Sequence, residues 1–588
     1  MKILSLASLV AAMGLWWMIL PAIDPDRMTD LGLVSILPLQ FYGAMALLAA
    51  GFALALSSRS TVGLLPVLHI VGLVSILHAT PALVYGTLRY SWAWKHLGIV
   101  DYIQRHGAVD RIADYLSVYH NWPTLFLVTA WLCNLLGLNS LDLSYIVRFT
   151  PVVLNLGFVA TLILIYRHLC GDSKQVMTAA WIFVVGNWVG QDYFSPQGVT
   201  FLFYLLLLAL FLGPLRRDTG IAVPERLGIV TRVWASAVGA PSMWQYYHTT
   251  GDKALATVTA LILIAAIVST HQLTPLLVIL ATGGLALIGR LSPGFLLFAI
   301  IGELAWTLYF AAPFVATHLI SEIAQLGEIA GAVGQMADTS IMSPDRVWVV
   351  WVGRTLSATI VVAAAIGGLR RLARGYRDGT AIVLSLVPFP LVIIPYGGEI
   401  LFRAYLFALP MLAFFAASML FPRRDAGRAI ASCFLAVLAF LGAIAFLFAN
   451  NGKDREYWFA PDEIETAHWL YSTAPAGSLL IEGARSYPSQ FLNYENFTYV
   501  PISEEDADER AGILADPVGV LERWLNDDTK QDAYFIITRS QKAYLEAQGI
   551  VPVGSLAEIE KKLLASPHFM LAKASPNALV FKLNQHLR

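Results

Sequence analysis

The chain has 588 residues, of which 57% are hydrophobic and only 13% charged, with a mean hydropathy of +0.64. Soluble domains carry about 25% charged residues, so most of this chain is not built to face water. A formal net charge of −1 and the lack of a basic stripe with interleaved aromatics exclude electrostatic capture of nucleic acid.

From the N-terminus, apolar segments long enough to cross a bilayer recur to about residue 449. The opening run MKILSLASLVAAMGLWWMIL exceeds the apolar core of a usual signal peptide, and further spans follow at once, so it reads as a first transmembrane helix. About thirteen spans are expected, near residues 3–22, 37–57, 61–87, 150–168, 175–190, 198–214, 255–270, 274–289, 295–312, 346–368, 380–396, 404–421 and 428–449. A cytoplasmic N-terminus puts the basic turns inside, among them Arg216, Arg217, Arg370, Arg371, Arg374, Arg423 and Arg424. The inserts 23–36, 88–149, 190–198, 270–274, 313–345 and 396–403 then face outside, with the C-terminal tail. The stretch NWPTLFLVTAWLCNLLGL is apolar, but as a full span it would invert every later loop. It is therefore expected to lie as an interfacial helix on the outer leaflet.

This reading divides the chain into a transmembrane domain over 1–449 and a soluble domain over 450–588. Residues 1–60 supply two extra N-terminal helices, and 88–149 form a large outer loop. Past residue 450 the composition turns polar. Strand-like SLLIEG, AYFIITR and NALVFKL alternate with helix-like PVGVLERWLNDD, SQKAYLEAQG and SLAEIEKKLLAS, which predicts a small α/β domain. SLAEIEKKLL opens with a capping-box pattern at Ser555. The three cysteines, Cys133, Cys170 and Cys433, are scattered and form no CxxC, so no zinc or thiol-redox site is indicated. No P-loop, HExxH or GxSxG occurs.

Ionisable residues near membrane depth are costly and point to function. Asp101 sits in LGIVDYI among apolar residues, with His96, His106 and His120 nearby, and suits a general base toward a hydroxyl. Asp110 and Asp114 read instead as a solvated helix face. Asp192 is the one charge in the tight turn GQDYFSPQG, and His271 lies in the short turn STHQLTP. Glu399 and Arg403 are four apart and share a helix face, where they can pair. Arg403 also opens a span, a place where an arginine suits a phosphate. Arg354 and Glu303 lie within spans and read as an intramembrane ion pair.

These residues fall in an order that resembles the GT-C superfamily of integral-membrane glycosyltransferases, which use polyprenyl-phosphate-linked sugars. The likeness rests on Asp101-Tyr102, Gly107, the YHNWP run from Tyr119 to Pro123, the surface helix 124–138 and Arg148 in LDLSYIVRFTPVVLNL. Asp192 and Arg403 in FRAYLFALP complete it. It covers residues 61–210 and, more loosely, 396–421. Two features depart from the pattern: the opening acid follows the third span rather than the first, and it stands alone rather than doubled. Asp24, Asp26 and Asp30 follow the first span and are the rival acids.

The resemblance implies a polytopic α-helical membrane protein with a C-terminal extracytoplasmic α/β domain, resident in the plasma membrane. It implies an inverting hexosyl- or pentosyltransferase. The sugar would move from a polyprenyl-phosphate donor to a hydroxyl of a cell-envelope glycan, lipid or protein acceptor. Asp101 would act as catalytic base, and Asp192 would position the acceptor or bind a metal. Arg403 would contact the donor phosphate, and Arg354, Lys95, His96, His120, Trp122, Arg148, His271 and Glu399 would line the substrate site. No cofactor is certain; a divalent cation, if one takes part, would use Asp101 and Asp192. The alternatives are a polysaccharide polymerase or ligase using a lipid-diphosphate glycan, and a lipid-linked sugar flippase. The flippase would favour internal repeats, and the sequence shows no convincing one.

Overall fold

The computed structural model describes residues 1–57, 63–217, 249–317, 338–393, 399–420 and 428–584. The expected basic residues Arg423 and Arg424, positions 318–337 of the expected outer insert and positions 396–398 of the YGGE turn lie outside the described residues.

The chain is a polytopic helical membrane protein with a C-terminal mixed α/β domain. Each expected span falls on helix. Among the described residues, nine helices are long and apolar enough to cross a membrane alone, from Lys2–Ala22 to Ser432–Asn451. The other expected segments fall on the shorter helices Ser173–Gly186, Pro196–Leu212, Thr274–Leu287 and Gly379–Ile393. Ser173–Gly186 is buried along most of its length, so neighbouring helices shield it.

The two extra N-terminal helices pack on each other and on the third span. Ser5 Oγ donates to Gly51 O at 2.8 Å, and Trp16 Nε1 donates to Thr80 Oγ1 at 2.9 Å. The helix Leu39–Ser57 also packs on the last span. The apolar stretch read as interfacial forms two helices, Thr124–Leu136 and Ser140–Val147, bent by 109°. Trp131, Leu135, Leu136 and Ile146 on this pair remain exposed, which is the face an interfacial element presents to lipid.

The C-terminal domain carries one five-stranded sheet: β1 Ser478–Glu482, β2 Phe497–Pro501, β3 Ala533–Thr538, β4 Phe569–Ala574 and β5 Ala578–Leu583. The order is β2-β1-β3-β5-β4, with β1 parallel to both β2 and β3 and the remaining pairs antiparallel. Successive residues of a strand point to opposite faces. Here Leu480, Tyr534, Ile536 and Val580 point one way, and Leu479, Ile481, Phe535 and Ile537 the other. The second face is covered by the domain's own helices, through Leu521, Leu556 and Ile559. The first packs together with Trp94, Phe126 and Ala130 of the outer loop. The capping box expected at Ser555 does not form. The N-cap of Ser555–Ala565 is Gly554, at φ 84°, with no side-chain cap bond, so Ser555 is already inside the helix.

Two of the contacts that fix the domain onto the membrane part are close and buried. Gly98, in the helix Ser91–His106, lies against the backbone of the C-terminal domain. A Cβ there would stand 2.5 Å from both Gln490 O and Phe491 O, closer than any real Cβ contact. The other is a buried ion pair between Arg89 and Asp454, just past the last span. Asp454 also accepts from Tyr85 Oη at 2.6 Å and from Asn451 Nδ2 at 3.0 Å, while Arg89 Nη2 donates to Asn450 O at 2.7 Å.

Gly98→Ala is expected to lower stability by about 1–3 kcal/mol, because two backbone carbonyls must give way. Gly14→Ala, with nothing within 4 Å of its Cβ, should leave the melting temperature in detergent unchanged. Asp454→Asn leaves Arg89 buried without its counter-ion and is expected to cost about 3–5 kcal/mol. Thermal melting together with protease release of the C-terminal domain checks both, and an unshifted melting temperature refutes either.

Candidate functional site

A cavity of about 890 Å³ opens where the span ends, the outer loop and the C-terminal domain meet. That is within the size range of pockets that enclose most of a small-molecule ligand. The span ends contribute Gln191, Tyr193, Phe402, Arg403, Asn450 and Lys453. The outer loop contributes Trp92, Lys95, Asp114 and Tyr119. The C-terminal domain contributes Arg485, Ser486, Gln490, Ser503 and Glu504.

The backbone is strained here. Among the described residues four non-glycine residues have positive φ, and three of them line the cavity: Tyr90 at 72°, Leu116 at 56° and Gln490 at 52°. Such conformations cost about 1–3 kcal/mol each and persist only where surrounding structure enforces them, most often at functional sites.

Among the described residues the cavity is lined by the cations Lys95, Arg403, Lys453 and Arg485 and the carboxylates Asp114, Glu399 and Glu504. The expected pairing of Glu399 and Arg403 is present, with Arg403 Nη2 at 2.8 Å from Glu399 Oε2. Lys95 is buried, 4% exposed, and its ammonium lies 4.2 Å from the Trp92 ring centroid. Burial, then the nearby Arg485, pulls the Lys95 ammonium below the ordinary lysine value. Lys453 lies 5.6 Å from the Trp188 ring centroid. Burial, with repulsion from Arg346, brings its pKa down to about 8. Arg485 reaches Glu504 at 3.3 Å. Asp114 is exposed to the cavity and has no hydrogen-bond or ion-pair partner among the described residues.

The structure brings Arg403, Lys95 and Glu399 together in this cavity and sets the other expected residues around it. Asp101, in the helix Ser91–His106, does not line the cavity. It accepts from Arg105 Nε at 2.8 Å, and Arg105 grips Glu495 through both terminal nitrogens, at 2.7 and 3.1 Å. Asp101 therefore belongs to a clamp between outer loop and C-terminal domain. Burial raises its carboxyl above the usual range, with Arg105 opposing. Asp192 is buried beneath the turn that supplies Gln191 and Tyr193. It accepts from Asn155 Nδ2 at 2.5 Å and lies 3.1 Å from His78 Nδ1. Burial raises the Asp192 carboxyl, but the bonds to His78 and Asn155 and the charge of Arg89 outweigh it and hold it below the ordinary value.

The expected histidines are structural in their contacts. His96 Nδ1 donates to Phe194 O at 2.8 Å, and its ring stacks on Tyr193; burial lowers its pKa to about 4. His120 Nδ1 accepts from the Asp110 N–H at 3.1 Å and its Nε2 faces Tyr494 Oη at 2.5 Å; burial again holds it near 4. His271 Nδ1 accepts from the Thr274 N–H at 3.2 Å, at the start of the helix that follows. Trp122 packs edge-on to Phe314, 5.5 Å between ring centroids. Arg148 bonds to Gly86 O. Arg354 lies within its span, 5.1 Å from the Trp351 ring, and does not line the cavity. Neither Asp101 nor Asp192 lines the cavity, and among the described residues no three His, Cys, Asp or Glu side chains gather as a metal-ligand set.

Four charged lining residues were not singled out as site residues from sequence. Asp114 and Glu504 occur in polar runs that read as solvated. Lys453 and Arg485 had usable signals. Lys453 stands directly past the last span, and Arg485 follows the strand SLLIE at its carboxyl end, the usual ligand side of a parallel sheet.

No family model matches the chain, and no curated protein does. Solved structures similar to it include the oligosaccharyltransferase of Archaeoglobus fulgidus tethered to an acceptor peptide. That structure is 12% identical with a TM-score of 0.45, over 93% of this chain and 74% of that one. ArnT from Cupriavidus metallidurans bound to undecaprenyl phosphate is 12% identical with a TM-score of 0.46, over 87% and 98%. The arabinofuranosyltransferase AftD from Mycobacteria is 13% identical with a TM-score of 0.43, over 93% and 40%. At these identities and scores the likenesses place no residue and assign no activity to this chain.

Proposed function

We propose that the cavity transfers a sugar from a polyprenyl-phosphate donor to a hydroxyl of a cell-envelope glycan, lipid or protein acceptor, with inversion. The observation that carries this reading is the charge set of one cavity at the span ends: Lys95, Arg403, Lys453 and Arg485 beside the unpaired carboxylate of Asp114. A departing phosphate needs cations where its charge develops, and an attacking hydroxyl needs a base. The resemblance of the sequence to GT-C enzymes agrees with this division of labour.

Arg403 and Lys453, at the span ends, hold the donor phosphate with its prenyl chain in lipid. The acceptor oxygen attacks the anomeric carbon as the bond from that carbon to the phosphate oxygen breaks. Polyprenyl phosphate leaves, and the hydroxyl proton passes to Asp114. A single displacement inverts the anomeric centre. Asp101, Asp192, His96 and His120 position the walls of the site rather than touch substrate. The C-terminal domain and the cavity face outside, with the N-terminus in the cytoplasm, as the distribution of basic turns suggests. A lipid-diphosphate glycan donor is the second reading, favoured by the presence of four cations rather than one or two. Release of polyprenyl diphosphate instead of polyprenyl phosphate identifies it.

With purified protein and a labelled polyprenyl-phosphate sugar, Asp114→Asn is expected to slow turnover by about 10²–10⁴-fold while donor binding holds. Asp101→Asn is expected to lower stability more than turnover per folded molecule. Wild-type turnover in Asp114→Asn removes it as the base. Lys453 carries its charge below about pH 8 and loses it above, so donor affinity should fall as pH rises through that value. The donor phosphodiester does not itself titrate there. Lys453→Arg keeps a permanent charge and should move the fall to higher pH; an identical profile for KM against pH refutes the assignment.

A further inference from the structure

We infer that the end of the cavity built by the C-terminal domain, with Lys95 and Arg485 at its centre, is an acceptor subsite that takes an anionic substituent of the acceptor glycan. The inference rests on the proposed function only in calling the ligand an acceptor; the binding site itself stands on the geometry below.

The sheet aims this domain at the cavity. Strands β1, β2 and β3 are parallel, so their carboxyl ends lie on one side. The segments leaving β1 and β2 there carry Arg485, Ser486 and Gln490, then Ser503 and Glu504, into the cavity. The carboxyl edge of parallel strands is where such sheets bind ligands. The Gln490 backbone is fixed at its positive φ by its N–H, which donates to Tyr471 Oη at 2.9 Å.

The cations there have few direct partners within the protein. Lys95 is 4% exposed and lines the cavity, yet makes no ion pair or hydrogen bond among the described residues. A buried ammonium with no direct partner is costly, and a bound anion would supply one. Glu482, the nearby acid, attracts Lys95 and Arg485 through space but forms no ion pair or hydrogen bond with either among the described residues; its two oxygens accept from Ser489 Oγ at 3.0 and 3.1 Å. Arg485 has one contact with Glu504, at 3.3 Å, and Glu504 is itself half exposed. The Arg485 Nε is buried without a partner. An ammonium and a guanidinium beside a serine hydroxyl and an amide suit a carboxylate or phosphate carried on a sugar, with the polar neutral groups left for its hydroxyls. Arg403 and Lys453 approach from the span ends instead, so the cavity offers separate cations for a donor phosphate and for a second anion.

The test uses the full-length protein in lipid nanodiscs. Three probes are titrated by calorimetry: an oligoglucuronate, a phosphorylated oligoglucose and a neutral oligoglucose of equal length. At least one anionic probe is expected to bind about tenfold tighter than the neutral one, and which does so names the substituent. Arg485→Gln and Lys95→Met, on separate elements, should each remove that advantage while polyprenyl phosphate still binds, which also reports a folded protein. Arg403→Gln should do the reverse. Equal binding of neutral and anionic probes, or anionic binding that survives both substitutions, overturns the proposal. These arms read binding alone, whereas the turnover assay with the labelled donor reads transfer, so a protein that binds the acid sugar but fails that assay refutes the enzymatic reading and leaves the subsite standing.

Discussion

The architecture turns on one buried ion pair. Asp454 ends the membrane part and begins the soluble domain; Arg89 ends the third span and begins the outer loop. Their contact, with Tyr85 and Asn451 filling the remaining acceptor sites, ties two chain segments separated by 365 residues into one corner. Tyr90 and Lys453, next to the two partners, both line the cavity. Such a pair adds little net stability over an apolar replacement, but neither partner can be lost alone. Its effect is specificity: it fixes which surfaces of loop and domain meet, and hence where the cavity lies.

Around that corner the charged groups divide into two kinds. One kind is satisfied within the protein: Asp192 by His78 and Asn155, Asp101 by Arg105, Arg346 by Glu456. These hold loops against spans and the soluble domain against both. The other kind points into the cavity with incomplete partnerships: Lys95, Lys453, Asp114 and the Nε of Arg485. For the buried Lys95 an ammonium with no direct partner is expensive, so its persistence marks a group held for a ligand; Asp114 keeps its charge in solvent without that cost.

The spans were legible in the sequence because lipid demands about twenty apolar residues at a stretch. β1, β3 and β5 were legible because both faces of the sheet are covered and the strands read as apolar runs. β2 and β4 were not. β2 alternates buried and half-buried residues within a polar stretch, and β4 is an edge strand with five of six residues at least partly exposed. Within the site, the apolar neighbours of Asp101 correctly signalled a carboxylate in a packed setting, but the same signal fits an anchoring pair, which is what its contacts are. Asp114 is solvent-exposed, as its polar surroundings predict; what sequence could not say is that the solvent is the cavity's. Proximity of Lys95 to Arg485 depends on a domain docked from the far end of the chain, and no local pattern encodes it.

One face of the C-terminal sheet has a consequence for how the molecule is made. Tyr471, Tyr487, Phe497 and Tyr499 pack in one cluster with Trp94 and Phe126, so the outer loop is half of that domain's core. The loop is synthesised early and must wait, its apolar surface uncovered, until the final quarter of the polypeptide has been made. Folding of the soluble part is thus a last act templated by the first part delivered, and a ribosome product cut short anywhere before the sheet has neither a finished interior nor a binding chamber.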